Sequence, residues 1–461
     1  MSAFVRTQSP ANTTAAPRRA PRPWAAELRG GPAPWAATAV FLTLLVPLVS
    51  KAAFWQGSWA QTEYELHTVT TLLGGPLAAA AGCWQGGREH RRGTAELRAS
   101  ASRGALAQFL TASLPVAAGL AVGYLAASAG ALLASWPYTS AGRPQPSAHL
   151  ADALYLVALA LVGHAAGRAV RWRMAAPLLA VCACVVLGVP SYQEKAQARF
   201  LDPALQYGTG EDLPVWWQPY AMTLWICGLA AAVVLLCAAR RRARPLALLP
   251  VAAACAAAVL IVQSGPSMWR EDPAARRETC AGTALRICVT AVHRDLLPQV
   301  TAALGGIAGR LEGVENAPAR LNDLAAGPAR PGDGALPEFF LGQSVVRGRL
   351  ADPEQFAWEV GTELADGSCA ISDGDGDGRF LHTSSAVQDW LISSSLSERR
   401  RASDESASRR YGTAADVASD KKGRAALDRL TSMEPGSRRA WLGRYFAATW
   451  ATCHRTEVPA L

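Results

Sequence analysis

The first 265 residues contain seven apolar segments, and the loops between them alternate between arginine-rich and arginine-poor. About 20 apolar residues in a helix are enough to cross the hydrocarbon core of a bilayer. Helices and closed barrels are the structures that satisfy backbone polar groups there. The sequence therefore predicts seven membrane-spanning helices, at 33–54, 68–84, 105–136, 151–168, 174–190, 218–239 and 245–263.

Loop charge predicts how these helices are oriented. Arginines are concentrated in the N-terminal tail and in the loops after the second, fourth and sixth segments, whereas the intervening loops offer only Arg143, Lys195 and Arg199. Positive charge is retained on the cytoplasmic side of a membrane. We therefore expect a multi-pass protein of the cell membrane with a cytoplasmic N-terminus and, after an odd number of spans, an extracytoplasmic C-terminus.

The composition requires a second, water-soluble part. The chain is 50% hydrophobic, yet its mean hydropathy is only +0.10, which is too low for membrane segments throughout. We predict a disordered cytoplasmic tail at 1–32, a transmembrane domain at 33–263 and an extracytoplasmic domain at 264–461. The net charge of +9 is then explained by cytoplasmic loop arginines, so we expect contact with membrane lipid and no nucleic-acid partner.

Residues 264–461 show apolar residues at helical spacing in four segments, 290–312, 351–365, 384–396 and 419–452. The predicted fold class is an all-α polytopic membrane protein, with about seven transmembrane helices and a mostly helical C-terminal soluble domain. We expect the charged stretch 397–424 to be a mobile surface loop, because it combines serines with charges of both signs.

Cysteines divide by predicted location. Six of the ten lie in predicted spans, and Cys280, Cys288, Cys369 and Cys453 lie in the region predicted to be outside. An even number in an oxidising compartment favours disulfides, although four cysteines allow three connectivities. The short spacing favours Cys280 with Cys288, which leaves Cys369 with Cys453. Free thiols are the alternative.

Two patterns resemble metal sites, and neither is complete. Asp373–Gly378 matches the start of a calcium-binding EF-hand loop, but the twelfth position is Ser384 instead of a bidentate glutamate. An ordinary Asp/Gly turn is the favoured interpretation. Glu63, Glu65 and His67 could offer three ligands only on an extended backbone, so we interpret them as a solvated outer loop. We expect no metal and no cofactor.

The loop after the second predicted span differs from the others. Thr94 can cap a short helix that begins at Ala95, and Glu96 is favourable near the positive end of that helix. A capped surface helix joined to two membrane helices can transmit a push between them. An inert helix at the membrane surface is the alternative.

This loop carries a family resemblance. The order of a membrane helix, a second helix with Gly-Gly-Pro at 74–76, the motif Arg-Arg-Gly-Thr-x-Glu-Leu at 91–97 and a third helix resembles the membrane subunit of ABC-2-type transporters. In that family the corresponding loop forms the coupling helix that docks on the ATPase. The resemblance covers about the first 135 residues. It implies a coupling loop that contains Arg88, Arg91, Arg92, Gly93, Thr94, Glu96, Leu97 and Arg103.

The sequence departs from that family in two ways. The proline common after the motif is replaced within the small residues 99–102, and seven predicted spans differ from the usual six. The C-terminal pattern combines the cysteine pair 280/288 with Arg-Arg-x-Trp-Leu at 438–442. It is similar to extracytoplasmic extensions on permease-like proteins of high-GC actinobacteria.

The resemblance implies a permease subunit of an ATP-binding-cassette exporter, working as a homodimer or with a second permease subunit. The chain has no Walker A loop, HExxH or GxSxG, so we predict that it is not an enzyme and that ATP is hydrolysed by a separate ABC ATPase subunit docked on 88–103. We also read the spans as lacking ionisable groups near the midplane for ion coupling. The alternative is a membrane-anchored extracytoplasmic sensor or cell-envelope interaction protein without transport activity.

Overall fold

The structure is a computed structural model. It describes residues 31–93, 104–170, 172–189, 197–205, 212–323, 332–337, 345–369, 378–450 and 453–461. Several sequence predictions lie outside these residues. They are the tail up to residue 30, the four coupling-loop positions Thr94, Glu96, Leu97 and Arg103, and the aspartates of the EF-hand-like pattern.

The N-terminal half is a bundle of helices. Five helices are long and apolar enough to cross a membrane, namely Ala33–Ser50, Ala105–Tyr138, Pro146–Ala169, Gln218–Ala238 and Arg241–Met268. They correspond to the first, third, fourth, sixth and seventh predicted spans. The α-helices of this half are α1 (Ala33–Ser50), α2 (Ala52–Trp55), α3 (Trp59–Val69), α4 (Gly75–Gly86), α5 (Arg88–Arg92), α6 (Ala105–Ser135), α7 (Pro146–Ala169), α8 (Ala175–Gly188), α9 (Gln218–Ala238) and α10 (Leu248–Ser264).

The second and fifth predicted spans differ from a simple membrane helix. The second run begins at Trp59 instead of residue 68, and a π-helical turn, Thr70–Gly74, separates α3 from α4. The fifth, α8, has only 14 residues. At 1.5 Å per residue it is about 21 Å long, shorter than the ~30 Å hydrocarbon core. The two runs account for the difference between five membrane-length helices and the predicted seven.

Close contact through glycine joins α4 to α7. A Cβ atom added at Gly82 would overlap the carbonyl oxygen of Ala160, and one added at Gly163 would overlap the carbonyl oxygen of Ala79. The contact repeats one turn further along each helix, and α1 packs on α6 by similar glycine contacts. Small residues four apart allow membrane helices to approach this closely. The bundle is therefore built from interlocked helix pairs.

The two ends of the bundle differ in charge. One end, which we call the basic end, carries Arg88–Arg92, Arg168, Arg173 and Arg241–Arg244. There His90 Nε2 lies 2.9 Å from the Arg168 carbonyl oxygen, and the Arg91 guanidinium lies 4.1 Å from the centroid of the Trp84 ring. At the opposite end, which we call the domain end, strand β1 (Asp212–Pro214) pairs antiparallel with β2 (Trp269–Glu271).

The C-terminal half contains a sheet that the sequence analysis missed. Strands β3 (Glu278–Ala281), β4 (Arg286–Thr290), β5 (Arg320–Asp323) and β6 (Gly334–Leu336) follow this order in the sheet, with β3 and β4 antiparallel and the other neighbours parallel. Helices α11 (Leu297–Ala303) and α12 (Gly305–Leu311) form the crossover from β4 to β5. Helices still make up most of this domain, and the four short strands are an addition that the sequence analysis did not predict.

Helices occupy all four segments with helical apolar spacing. They are the crossover helices and α13 (Pro353–Asp366), α14 (Gly378–Ile392), α15 (Ser395–Tyr411), α16 (Ala414–Ser432) and α17 (Pro435–Thr449). Their apolar faces meet in one core, where Phe356, Tyr445 and Phe446 are fully buried. A short hairpin, β7 (Val345–Val346) with β8 (Arg349–Leu350), reaches back to the bundle. There the Arg347 N–H donates to the Ala53 carbonyl oxygen over 2.9 Å.

The prediction of a mobile loop at 397–424 is wrong. This stretch forms most of α15 and the first half of α16. Both helices begin with a capping box, in which Ser394 and Ser397 bond to each other's backbone N–H at one start and Thr413 and Asp416 do so at the other. Such caps satisfy the first free backbone donors of a helix, so a polar helix forms there without a strong apolar stripe.

Two disulfides join parts of the soluble domain. Cys280 and Cys288 are directly opposite each other on β3 and β4 and are bonded. Cys369, just after α13, is bonded to Cys453, which follows α17. This is the pairing that the short sequence spacing favoured. The bonded state of the purified protein stays a prediction for peptide mapping.

Candidate functional site

A cavity of about 120 Å³ opens between three helices at the domain end of the bundle. Its walls are α3, α7 and α9, and β1 and Trp269 lie at its outer side. Pro203 and Leu205, from the segment 197–205, complete one wall. The cavity is the place where polar and titratable side chains of the membrane half come together.

Helix α3 supplies Glu63 and His67. The Ser58 side chain accepts the Gln61 N–H and caps the start of α3, so the backbone is already helical at Glu63. Residues four apart on a helix share a face, and both side chains line the cavity. The predicted solvated loop at 63–67 is therefore wrong. These residues are part of a helix that continues into the bundle.

Helix α7 supplies His149 and Asp152 on the facing wall. Residues three apart also share a helix face. The sequence analysis began this span at residue 151 and treated Asp152 as a rim residue. The helix actually begins at Pro146, and Asp152 is 6% exposed and His149 is 8% exposed. Asp152 lies about 9 Å along the helix axis from Pro146, at 1.5 Å per residue.

Asp152 is the centre of a hydrogen-bonded network. Its Oδ1 lies 2.8 Å from His67 Nδ1, and its Oδ2 accepts a hydrogen bond of 3.0 Å from the Tyr124 hydroxyl of α6. The other ring nitrogen of the histidine, Nε2, lies 2.7 Å from the Pro203 carbonyl oxygen. This single carboxylate therefore links α3, α6 and α7, and through His67 the segment 197–205 as well.

Glu63 and His149 form the second part of the network. His149 Nε2 lies 3.5 Å from Glu63 Oε1, and Glu63 Oε1 also accepts the Gln145 N–H. His149 Nδ1 lies 3.1 Å from the Ser128 hydroxyl and 3.3 Å from the Tyr124 hydroxyl. Tyr124 therefore joins His149 to Asp152 and His67, whereas Glu63 lies at ion-pair distance from His149 without a hydrogen bond to it.

The charge around the cavity is negative. Glu63, Asp152 and Asp212 line it, and no described lining residue is a lysine or arginine. The remaining lining side chains are mostly apolar or aromatic, such as Met222 and Trp269. Buried acids of this kind are costly unless they are paired and hydrogen-bonded. The cavity is chemically suited to take up protons or positively charged groups.

Metal binding has no support in the described part of the chain. Within those residues, no three His, Cys, Asp or Glu side chains are arranged to hold a metal ion. Ser384, the twelfth position of the EF-hand-like pattern, is buried within α14.

The π-helical turn lies next to the cavity. Thr71 belongs to this turn and lines the cavity, and its carbonyl oxygen accepts a hydrogen bond of 3.2 Å from the Tyr155 hydroxyl of α7. A π-turn shifts the regular hydrogen bonding of an α-helix, and such turns are frequent at functional sites. The wall formed by α3 is thus joined to α4 through a segment whose hydrogen bonds can rearrange.

The described residues of the predicted coupling loop lie far from the cavity. Arg88, Arg91 and Arg92 form α5 at the basic end, and Gly93 follows in a left-handed conformation, with φ of +65°. From His67 to Arg92 the helical run is about 37 Å long at 1.5 Å per residue. The predicted site and the cavity are therefore separate, and a single run of helix connects them.

The sequence analysis missed the network because it placed three of its members in loops. Glu63, His67 and His149 interrupt apolar stretches, so a hydropathy window ends the spans before reaching them. One signal was available in the sequence. The pairs Glu63/His67 and His149/Asp152 have i,i+4 and i,i+3 spacing, which places polar groups on one face of each of two helices.

Comparison with known proteins gives no identification. No family model matches the chain, and neither a curated protein nor a solved structure matches it.

Proposed function

We propose that this protein is the membrane-spanning permease subunit of an ATP-driven exporter. A separate ATPase docks on the basic end, on the segment 88–103, and its movement changes the cavity at the domain end. The basic end faces the cytoplasm and the soluble domain lies outside, with seven helical passes between them. The arginine alternation supports this orientation.

The observation that carries the proposal is the helical run from Trp59 to Arg92. It comprises α3, the π-turn, α4 and α5, and spans about 50 Å at 1.5 Å per residue. Gly87, between α4 and α5, continues the helical hydrogen bonds, since its N–H donates to Cys83 and its carbonyl accepts from Arg91. One end of this run is the proposed docking site, and the other forms a cavity wall.

The packing of α4 would allow this run to transmit movement from the basic end to the cavity. Glycine contacts hold α4 tightly against α7. A displacement of α5 would therefore be transmitted along α4 instead of being lost in bending of that helix. The π-turn lies between this rigid part and the cavity wall. Because interlocked helices move as a unit while a π-turn can shift by one hydrogen bond, movement would be concentrated at 70–74.

A second permease copy completes the proposal. Helix α8 exposes Leu178, Val181, Val185 and Val186, which form an apolar surface suited to lipid or to another membrane helix. Exporters of the resembled class work as dimers, so a homodimer or a pair with a second permease subunit is the proposed assembly.

The test is purification of the tagged chain in mild detergent, with quantification of co-purifying ATPase by mass spectrometry. The double variant Arg91→Glu/Arg92→Glu reverses two charges in α5. We expect ATPase recovery to fall at least tenfold, because like charges placed together at an interface cost several kcal/mol. The single variant Arg92→Glu changes an exposed arginine and leaves the Arg91–Trp84 contact intact. ATPase recovery with this variant should also fall.

The matched control is Arg241→Glu/Arg242→Glu. These arginines are also exposed at the basic end, on the connection between α9 and α10. We expect ATPase recovery within twofold of the unmodified chain. Equal loss of ATPase recovery in both double variants would show that the effect comes from the total charge of the basic end and not from α5. If the unmodified chain recovers no ATPase, the permease proposal is contradicted.

One observation favours the alternative of a membrane-anchored sensor. The soluble domain contacts the bundle directly at Arg347 and Ala53, and Gly348 packs against Gly57 at the domain end. A ligand on the outer domain could act on the bundle through this contact. Co-purification of an envelope component that requires the outer domain, with no ATPase present, would favour this second function.

A further inference from the structure

The two atoms that flank the His67 imidazole determine how many protons the site holds. Nε2 lies 2.7 Å from the Pro203 carbonyl oxygen. A carbonyl oxygen only accepts hydrogen bonds, so Nε2 must carry a proton. Nδ1 lies 2.8 Å from Asp152 Oδ1, so a second proton must lie between the ring and the carboxyl group.

Two arrangements satisfy these contacts. His67 is an imidazolium beside an ionised Asp152, or it is a neutral ring beside a protonated Asp152. Both arrangements hold two protons and have no net charge. Removal of one proton leaves a net charge of −1 and removes the donor from one of the two hydrogen bonds. The geometry thus corresponds to the pair with its extra proton bound.

Burial disfavours a charged imidazole, and the neighbouring carboxylates oppose this effect. The described titratable groups near the pair, from every packed element, are Glu63 and Tyr64 on α3, Tyr124 on α6, His149 and Tyr155 on α7, Asp202 in the segment 197–205, and Asp212 on β1. The carboxylates among them make the potential more negative, which stabilises a bound proton. The imidazole side chain is 35% exposed, on the cavity side, so water can deliver and remove protons.

We propose that His67 and Asp152 form a proton-binding site that holds the segment 197–205 against the cavity wall. With the proton bound, His67 Nε2 donates to Pro203 and the wall is closed at this point. When pH rises and the proton is lost, the one remaining ring proton lies on Nδ1 and donates to the ionised Asp152, so Nε2 no longer donates to Pro203 and the segment is released. The proton site rests on the cavity alone, and its role in transport rests on the proposed function.

The first test uses the purified chain in lipid nanodiscs with ¹⁵N-labelled histidine, without any ATPase. The His67 signal is the one that disappears in His67→Gln. At pH 7.5 we expect either both ring nitrogens protonated, or Nε2 protonated together with an infrared carboxylic-acid band that disappears in Asp152→Asn. A neutral ring with an ionised Asp152, titrating near the ordinary value of about 6.5, would overturn the proposal.

The second test measures hydrogen exchange of the segment 197–205 at several pH values, corrected for the intrinsic dependence of exchange on pH. In the unmodified chain, protection should fall at least tenfold as the His67 site loses its proton. In His67→Gln the protection should not depend on pH. In Asp152→Asn the amide N–H can donate to Nδ1 of a neutral ring and keep the proton on Nε2, so the segment should stay protected at a pH where the unmodified chain releases it.

A segment whose protection is independent of pH in the unmodified chain would overturn the proposal. The same pH dependence in His67→Gln would overturn it too. Neither result would bear on the ATPase, since association with it is measured separately at the basic end.

Discussion

Two carboxylates in the C-terminal domain, Asp323 and Asp366, differ in their hydrogen-bonding partners. Asp323 Oδ2 accepts hydrogen bonds from the Thr290 N–H over 3.2 Å and the Thr290 hydroxyl over 3.0 Å, and it lies 2.6 Å from His293 Nδ1. These contacts tie the end of β5 to the end of β4. Asp366 differs, because burial raises its pKa to about 6 and the Ser384 hydroxyl offsets this only in part.

Asp366 gives a pH-dependent prediction. Its folded pKa of about 6 exceeds the ordinary value of about 3.9. The contribution of Asp366 to the free energy of unfolding is therefore complete below about pH 4 and is lost as pH rises through about 6. Asp366→Asn should stabilise the domain at pH 7.5 by about 1 kcal/mol, a value that allows for partial exposure of the carboxyl group.

Scanning calorimetry of the full chain checks this prediction. The melting temperature of the C-terminal domain should rise by roughly 2–4 °C at pH 7.5 for a domain of this size. The gain should vanish at pH 4. An equal gain at both pH values would show that the asparagine acts through packing instead of charge.

Helix contacts in the bundle depend on glycine at particular positions. Gly82 faces the Ala160 carbonyl oxygen so closely that any side chain would overlap it, whereas a Cβ atom at Gly130 would meet no atom within 4 Å. Both glycines lie inside α-helices, so replacement by alanine gives both the same gain in helix propensity. The two positions therefore separate packing from propensity.

The variant Gly82→Ala should force α4 and α7 apart. We expect a loss of at least about 2 kcal/mol, as for overpacking in a tightly packed core. Gly130→Ala should be neutral or slightly stabilising. Size-exclusion chromatography in detergent, with thermal challenge, measures the monodisperse fraction of each variant. Equal survival of the two variants would contradict the close packing of α4 on α7.

Elements encoded by long apolar runs could be predicted from sequence, and elements that depend on partners could not. The helix at 218–238 is apolar along its whole length, so hydropathy alone located it. Strand β4 is a short run, Arg286–Thr290, whose partners β3 and β5 are set by tertiary structure. The helix α15 is polar on most of its surface, and serines such as Ser397 are as common in loops as at the start of a helix.

The site was less predictable than the fold, for a related reason. Each polar member of the network reduces the apolar character of its own segment, so a hydropathy rule places it outside the membrane. Only the structure shows that Asp152 has partners on α3 and α6. A buried acid becomes understandable once the groups that pair with it are known.

At the scale of the whole molecule, the two ends of the bundle are joined by one continuous helical run. The basic end carries the proposed ATPase contact, and the domain end carries the cavity, the proposed proton site and the disulfide-bonded C-terminal domain. We propose that nucleotide binding by the ATPase at the basic end changes the cavity at the domain end. The change passes through α4, which α7 holds rigid, to the π-turn at 70–74.

The most direct test of this account is nucleotide-dependent hydrogen exchange in the complex of the chain with its co-purified ATPase. Exchange is compared without nucleotide and with ATP plus vanadate. We expect exchange at 59–71 to change at least several-fold on nucleotide trapping, and exchange in the β-sheet 278–336 to stay constant as an internal control. A complex that hydrolyses ATP while exchange at 59–71 stays the same would contradict coupling between the basic end and the cavity.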